Sequence, residues 1–236
     1  MFDKGFLRFS LLINLLLTPI AGLYLVKKYQ FYQDMKRDSE QKNYAKNQPN
    51  SYWRTREAIY EMLPGKQKAI VFMGNSLVDF CEWSELFDRP IINRGLAGDT
   101  MDGILRRVDQ VTRFKPAKIF LLVCTNDLPG PSTNLDTICT KYQRLIKRIR
   151  TGDSNCKIYI ISELPRWDSS SIARLILPLN DKLFSLAKTE NVNFINVYDK
   201  LATKDGLLSR QFSFDGLHMN GKGYLILKNS IEPYIN

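Results

Sequence analysis

The chain has one histidine, His218, and it stands three residues after Asp215 in "FSFDGLHMNGKGY". A general base needs an imidazole that can take up a proton near neutrality, and a carboxylate that fixes its tautomer and stabilises the imidazolium. Asp and His three apart on one turn can supply both, although a lone histidine is more often structural. A base of this kind needs a nucleophile. "AIVFMGNSLVDF", residues 69–80, offers Ser76 between an apolar run and a helix start. A serine at that junction is commonly the helix N-cap. The same junction also projects a side chain above a sheet edge and leaves backbone N–H groups free to face a developing oxyanion. The local sequence leaves both roles open for Ser76.

Two further loops carry oxyanion chemistry. "NRGLAGDT" places Gly95 and Gly98 after an apolar stretch. Glycine there lets the backbone approach a substrate closely and aim its N–H. "VCTNDLPG" places Asn126 after another, and a side-chain amide is a good neutral donor to an oxyanion. Ser76 N–H, Gly98 N–H and Asn126 Nδ2 would make a three-donor hole. "PRWDSSS", residues 165–171, supplies a bulky segment whose Trp167 could line a substrate or simply pack on its own domain.

These loops need a scaffold that gathers them. "KAIVFM", "PIINR", "KIFLLVC", "KIYIIS" and "VNFINVY" read as strands. Helical stretches are expected over about 77–87, 101–112, 135–150, 172–190 and 221–234, with another in "YWRTREAIYEML" before Pro64-Gly65. Several strands are continuous apolar runs, which implies cover on both faces. Strands alternating with helices of this length imply βαβ crossovers and a parallel sheet. The expectation is one three-layer α/β/α domain over 52–236, with the candidate loops at the carboxyl ends of the strands, where ligands bind in open α/β sheets.

At this point "GNSL", "NRGLAGDT", "TND" and "DGLH" resemble, in order and position, the four blocks of the GDSL esterases, or SGNH hydrolases. The resemblance spans residues 68–236. "WSELF", "INRGLAGDT" and "FDGLHMNGKGY" look most like the branch that includes platelet-activating-factor acetylhydrolase catalytic subunits and bacterial acetylesterases. It implies a flavodoxin-like fold with five parallel strands, Ser76 as nucleophile, His218 as base, Asp215 orienting His218, and Gly98 and Asn126 completing the oxyanion hole. It implies no metal and no cofactor. Two positions depart from the family pattern: Asn75 stands where Asp is usual in the first block, and Cys124 where Gly is usual in the third.

The chain has 236 residues, enough for one ordinary domain and an extension. Its net charge of +10 is spread along the chain, which reads as a solvated basic surface with some preference for anionic partners. No basic stripe with interleaved aromatics points to nucleic acid. None of the four cysteines forms a CxxC pair and there is one histidine, so a Cys/His zinc site is not indicated; Cys124, in an apolar run, reads as a buried free thiol. "FSLLINLLLTPIAGLYLV", residues 9–26, has no charge and nearly the length of a membrane span. The expectation is a single-pass anchor with flanks over 1–32, with a cleaved signal sequence as the rival, then a polar linker over 33–51. Lys27, Lys28, Lys36 and Arg37 against Lys4 and Arg8 favour a cytoplasmic domain, whereas a short segment before a first helix favours export. The exported side is expected for the catalytic domain.

The functional expectation is a serine esterase acting on short-chain or acetyl esters, on glycan O-acetyl or lysolipid substrates. The alternatives are an O-acyltransferase with the same triad and a non-catalytic membrane-anchored binding module. The sequence sets no oligomeric state.

Overall fold

The computed structural model describes residues 26–30, 33, 51–128 and 133–235. The chain divides into two compact units, Met1–Arg54 and Thr55–Asn236, and the second holds the sheet and all the candidate site residues. Strands β1 (Ile70–Gly74), β2 (Ile91–Gly95), β3 (Lys118–Leu122), β4 (Lys157–Ile161) and β5 (Asn193–Ile195) form a parallel sheet in the order β2-β1-β3-β4-β5. This is the doubly wound order in which the chain leaves β1 in one direction and β3 in the other. The crevice between those two strand ends is where such sheets bind ligands.

Helices α1 (Ser51–Met62), α2 (Ser76–Asp79), α3 (Trp83–Phe87), α4 (Met101–Arg107), α5 (Asp109–Thr112), α6 (Leu135–Gly152), α7 (Ser170–Thr189), α8 (Tyr198–Leu201) and α9 (Gly221–Ile231) complete the regular structure used below. On one face of the sheet, Val71, Met73, Ile119, Leu121, Ile158 and Ile160 pack with α4 to α7. On the other, Phe72, Phe120, Leu122, Tyr159 and Ile161 pack with α2, α3 and α9. Alternation of side chains along each strand produces the two cores. The register aligns Phe72, Phe120 and Tyr159 as one rung across three strands. Their rings stack at 4.8 and 4.5 Å, and Trp83 stacks on Phe72 at 4.3 Å. Each such pair adds about 0.5–1.5 kcal/mol beyond area burial.

Two expected helices are broken, each for a visible reason. The 77–87 helix divides into α2 and α3. Asn93 Nδ2 from β2 donates to the carbonyls of Val78 and Cys81 at 3.1 and 3.0 Å, and Trp83 Nε1 also donates to Val78 O at 2.8 Å. Carbonyls engaged by side chains are diverted from the helical ladder. The 101–112 helix divides at Val108, where Arg148 Nη1 from α6 takes the Leu105 carbonyl at 2.7 Å. The fifth strand is shorter than expected, because Tyr198 already opens α8.

The expectation of a membrane-anchored protein with an exported domain is corrected. Among the described residues no helix is long and apolar enough to cross a membrane. The hydrophobic segment that carried that reading lies, except for Val26, outside the described residues.

Candidate active site

Ser76 stands two residues past the end of β1 and is the first residue of α2, not its cap. The cap is Asn75, whose Oδ1 accepts from Leu77 N at 3.0 Å. Asn75 is fully buried, so its side chain serves the backbone while Ser76 is left half-buried at the surface. The departure from Asp at this position thus keeps the acceptor a cap requires. It also introduces an amide nitrogen, Nδ2, that is buried with no hydrogen-bond partner among the described residues.

His218 arrives from the loop before α9. Ser76 Oγ lies 3.0 Å from His218 Nε2, across 142 positions of sequence. His218 Nδ1 lies 2.7 Å from Asp215 Oδ2. Asp215 Oδ1 accepts from the backbone N–H of Leu217 and of His218 at 2.9 and 2.8 Å. Partial burial works to raise the Asp215 pKa, but the hydrogen bonds from His218 and from these two N–H groups outweigh it and hold the carboxyl below the usual carboxylate range. With Nδ1–H donated to Asp215, Nε2 is left as the acceptor facing Ser76.

The loop that carries this pair is braced from both sides. Asn220 caps α9 by accepting from Lys222 N and Gly223 N. Trp167 N donates to Gly216 O at 3.0 Å. Gly216 has φ +88°, and a Cβ there would sit 2.4 Å from the Trp167 ring. Glycine is required on both counts. Arg210 lies over the Trp167 ring at 4.4 Å. Trp167 therefore packs on its own domain between Gly216 and Arg210. The aromatic beside the histidine is instead Phe80, half exposed, with its ring 5.1 Å from that of His218.

The three strand ends are tied together beneath the site. Leu96 N donates to Gly74 O at 3.0 Å, and Asn75 N to Leu122 O at 3.4 Å. Gly98 has φ +80°, with open space where a Cβ would stand, so its N–H direction is bought by a conformation other residues rarely adopt. Asn126 Nδ2 donates to Asp99 O at 2.8 Å, which sets the exposed Asn126 amide beside the residue that follows Gly98. The second hydrogen of that NH2 group is not used by this bond.

Several residues that hold this arrangement escaped the sequence reading. Arg107 is buried and donates to Asp99 Oδ2 at 2.7 Å, Arg94 O at 2.9 Å and Gly74 O at 3.1 Å. Asp79 Oδ2 accepts from Ala97 N at 2.9 Å while its Oδ1 pairs with Arg56 at 3.1 Å. Tyr60 donates its hydroxyl to Gly95 O at 2.5 Å. Asp79 lies three residues after Ser76, one helical turn on, which is the only local signal any of them gave. Cys124 stands at φ +97°, so the block position usually held by Gly does need a left-handed backbone, and here a cysteine bears the strain. As expected, Cys124 is a buried free thiol, and burial pushes its pKa well up.

Residues 77–226 match the model of the GDSL-like lipase/acylhydrolase family, a span that starts one position past Ser76 and contains the other four candidate residues. The chain is 28% identical over 169 residues to platelet-activating factor acetylhydrolase IB subunit alpha2 of Rattus norvegicus, covering 67% of this chain and 72% of that protein. It is 27% identical over 176 residues to N-acylneuraminate cytidylyltransferase of Escherichia coli O18:K1:H7, covering 70% of this chain and 40% of that one. Among solved structures, a GDSL-like lipase from Bacteroides thetaiotaomicron superposes with a TM-score of 0.69 at 24% identity, over 77% of this chain and 96% of that chain. An acetylxylan esterase from Geobacillus stearothermophilus superposes with a TM-score of 0.58 at 15% identity, over 73% and 95%. At these identities the structural likeness speaks for the fold alone.

Proposed function

The chain belongs to the GDSL-like lipase/acylhydrolase family and is a hydrolase acting on ester bonds; from that premise we propose that it works as a serine esterase through an acyl-enzyme, with Ser76 as nucleophile. The observation that carries the proposal is the continuous relay from Ser76 Oγ to His218 Nε2 at 3.0 Å and from His218 Nδ1 to Asp215 Oδ2 at 2.7 Å. His218 Nε2 takes the Ser76 proton as Oγ attacks the ester carbonyl. Asp215, held ionised, stabilises the imidazolium that forms. The tetrahedral oxyanion is received by the N–H groups of Ser76 and Gly98 and by Asn126 Nδ2. His218 then protonates the departing alcohol, and water repeats the sequence on the acyl-enzyme.

The substrates proposed are short-chain or acetyl esters, with glycan O-acetyl groups and lysolipids as the classes to try first. Phe80, 55% exposed beside His218, supplies apolar aromatic surface on the base side of the site. Such surface suits the face of a sugar ring or the glycerol end of a lysolipid. One relative is named as an acetylhydrolase, which fits an acetyl ester as substrate.

The test is hydrolysis of p-nitrophenyl acetate and of a panel of O-acetylated sugars and lysolipids, with fluorophosphonate labelling in parallel. Ser76→Ala should abolish both turnover and labelling. Asn126→Ala should lower kcat roughly 10²- to 10³-fold while leaving labelling sites unchanged. Full activity in Ser76→Ala would overturn the proposal.

A further inference from the structure

Two buried acids lie outside the mechanism: Asp99 is paired with Arg107, and Glu163 is the other. Glu163 follows β4 by two residues and is completely buried. Its backbone is clamped by Asn180 of α7, which accepts from Glu163 N at 2.8 Å and donates to Glu163 O at 2.9 Å. That two-way clamp fixes where the side chain starts. The side chain ends at the turn Thr125–Asp127, where Oε2 accepts from the Thr125 hydroxyl in a short hydrogen bond. The other oxygen, Oε1, is buried and makes no hydrogen bond of ordinary geometry among the described residues, and beyond Thr125 the Cys124 thiol is a further, weak donor to this carboxyl. A buried carboxyl with one oxygen unsatisfied is costly. An apolar residue at this position would carry no such cost, so stability alone gives no reason for an acid here.

What the acid touches supplies a reason. Thr125 immediately precedes Asn126. On the other side Asp127 Oδ2 accepts from Met101 N, the first N–H of α4, at 2.9 Å. Asn126 is therefore held between two anchored neighbours, and the anchor on its N-terminal side is Glu163. The turn also begins at Cys124, whose left-handed backbone is under strain for a non-glycine residue. A turn entered through strain needs a restraint beyond it to keep one geometry.

We propose that Glu163 is a positioning residue for the oxyanion hole: through the Thr125 hydroxyl it locks the Thr125–Asp127 turn, and with it the direction of the Asn126 amide. This rests on the esterase reading for its catalytic consequence, but not for the coupling itself. The charged and titratable groups around Glu163 are Cys124 and Asp127 on the turn, Tyr142 on α6, and Arg166 beyond β4. Burial, with Asp127 adding and Thr125, Cys124 and Arg166 opposing, pushes the Glu163 carboxyl up to about 7. Below that pH the lock is neutral. Above it an unpaired charge sits behind the turn, and the Asn126 geometry shifts with it.

Two measurements on the full chain test this. The first is the pH dependence of p-nitrophenyl acetate kinetics in wild type, Thr125→Val, Glu163→Leu and Glu163→Gln. Thr125→Val and Glu163→Leu should lower kcat about 10-fold or more with KM within about twofold, the pattern of a lost transition-state contact. Glu163→Gln keeps an acceptor for Thr125, so it should restore kcat to within about threefold of wild type. The second is the NMR signal of the Asn126 side-chain amide followed through the same pH range. It should titrate in wild type, and be displaced and pH-independent in Thr125→Val, which is nearly isosteric and keeps the fold. Unchanged kcat in Thr125→Val, or a Gln variant as impaired as Leu, would overturn the proposal. So would an Asn126 amide signal indifferent to Thr125→Val, whether or not the chain hydrolyses the ester. Loss of ester hydrolysis in wild type with the amide coupling intact would instead count against the esterase reading alone.

Discussion

At the residue scale, Asn75 decides what Ser76 is free to do. Because Asn75 accepts the Leu77 N–H, the cap is already filled and the Ser76 hydroxyl is available to His218. Asn75→Ala should cost about 1 kcal/mol of stability, the usual loss for a deleted cap, read as a shift in the denaturant midpoint. Asn75→Asp keeps the acceptor and should retain the cap, so it should hold its midpoint far better than Asn75→Ala; equal losses in the two would contradict the capping role. The cysteines make a second residue-level expectation. Burial, aided by Glu82 for Cys81 and by Asp153 for Cys156, pushes both thiols up to about 12. Thiolate is the reactive form, so a disulfide reagent should leave Cys81, Cys124 and Cys156 untouched in the folded chain and titrate all of them after unfolding. Fast reaction of any of these three under native conditions would show that the thiol is less buried than it stands.

At the scale of elements, the site exists because the ends of β1 and β2 and the loop leading into α4 are bound to one guanidinium. Arg107 reaches Gly74 O, Arg94 O and Asp99 Oδ2 from inside α4. Removing it strands the Asp99 carboxylate in a dry interior, and broken buried pairs of this kind cost roughly 3–5 kcal/mol. Arg107→Leu should therefore unfold at much lower denaturant. Arg107→Lys should not rescue it, since a single ammonium cannot span three acceptors set in a fork. Wild-type stability in either variant would refute the tie. The broken helices belong to the same scale. Their hydrophobic spacing was legible as helix, but the breaks come from Asn93 and Arg148, which lie elsewhere in the chain and take carbonyls that the local pattern assigned to the helix.

At the scale of the whole molecule, the buried Glu163 makes stability depend on pH in an unusual sense for an acid. Its folded pKa is raised from the ordinary 4.5 to about 7. The folded chain then binds the proton more tightly than the unfolded chain does. The stability it contributes is complete below the ordinary value and is lost as the pH rises through about 7, a total on the order of 3 kcal/mol. Thermal unfolding should show a Tm that falls across this window in wild type and a flatter profile in Glu163→Gln. A wild-type Tm that rises across it to the same extent as in Glu163→Gln would mean that Glu163 is ionised throughout. Asp215 works in the opposite direction, since its pKa is held low, and its stabilising hydrogen bonds are lost only as the medium becomes strongly acidic.

The sequence by itself determined the ester-hydrolase family and the layered α/β architecture. Apolar runs separated by amphipathic stretches dictate a covered parallel sheet, and the one histidine, three residues past an aspartate, leaves few ways to build a base. These signals are local: they are periodicities, and residue types at fixed short spacing. The tertiary structure decided whether the pieces meet. Ser76 and His218 come within 3.0 Å across 142 positions, and no local pattern encodes that distance. It also decided that Asn75, and not Ser76, caps the helix, that Trp167 packs between Gly216 and Arg210, and that Arg107 and Glu163 are hydrogen-bonded to the loops that carry Gly98 and Asn126. A buried arginine and a buried glutamate look in sequence like any solvated charge; only the surroundings that desolvate them reveal what they hold.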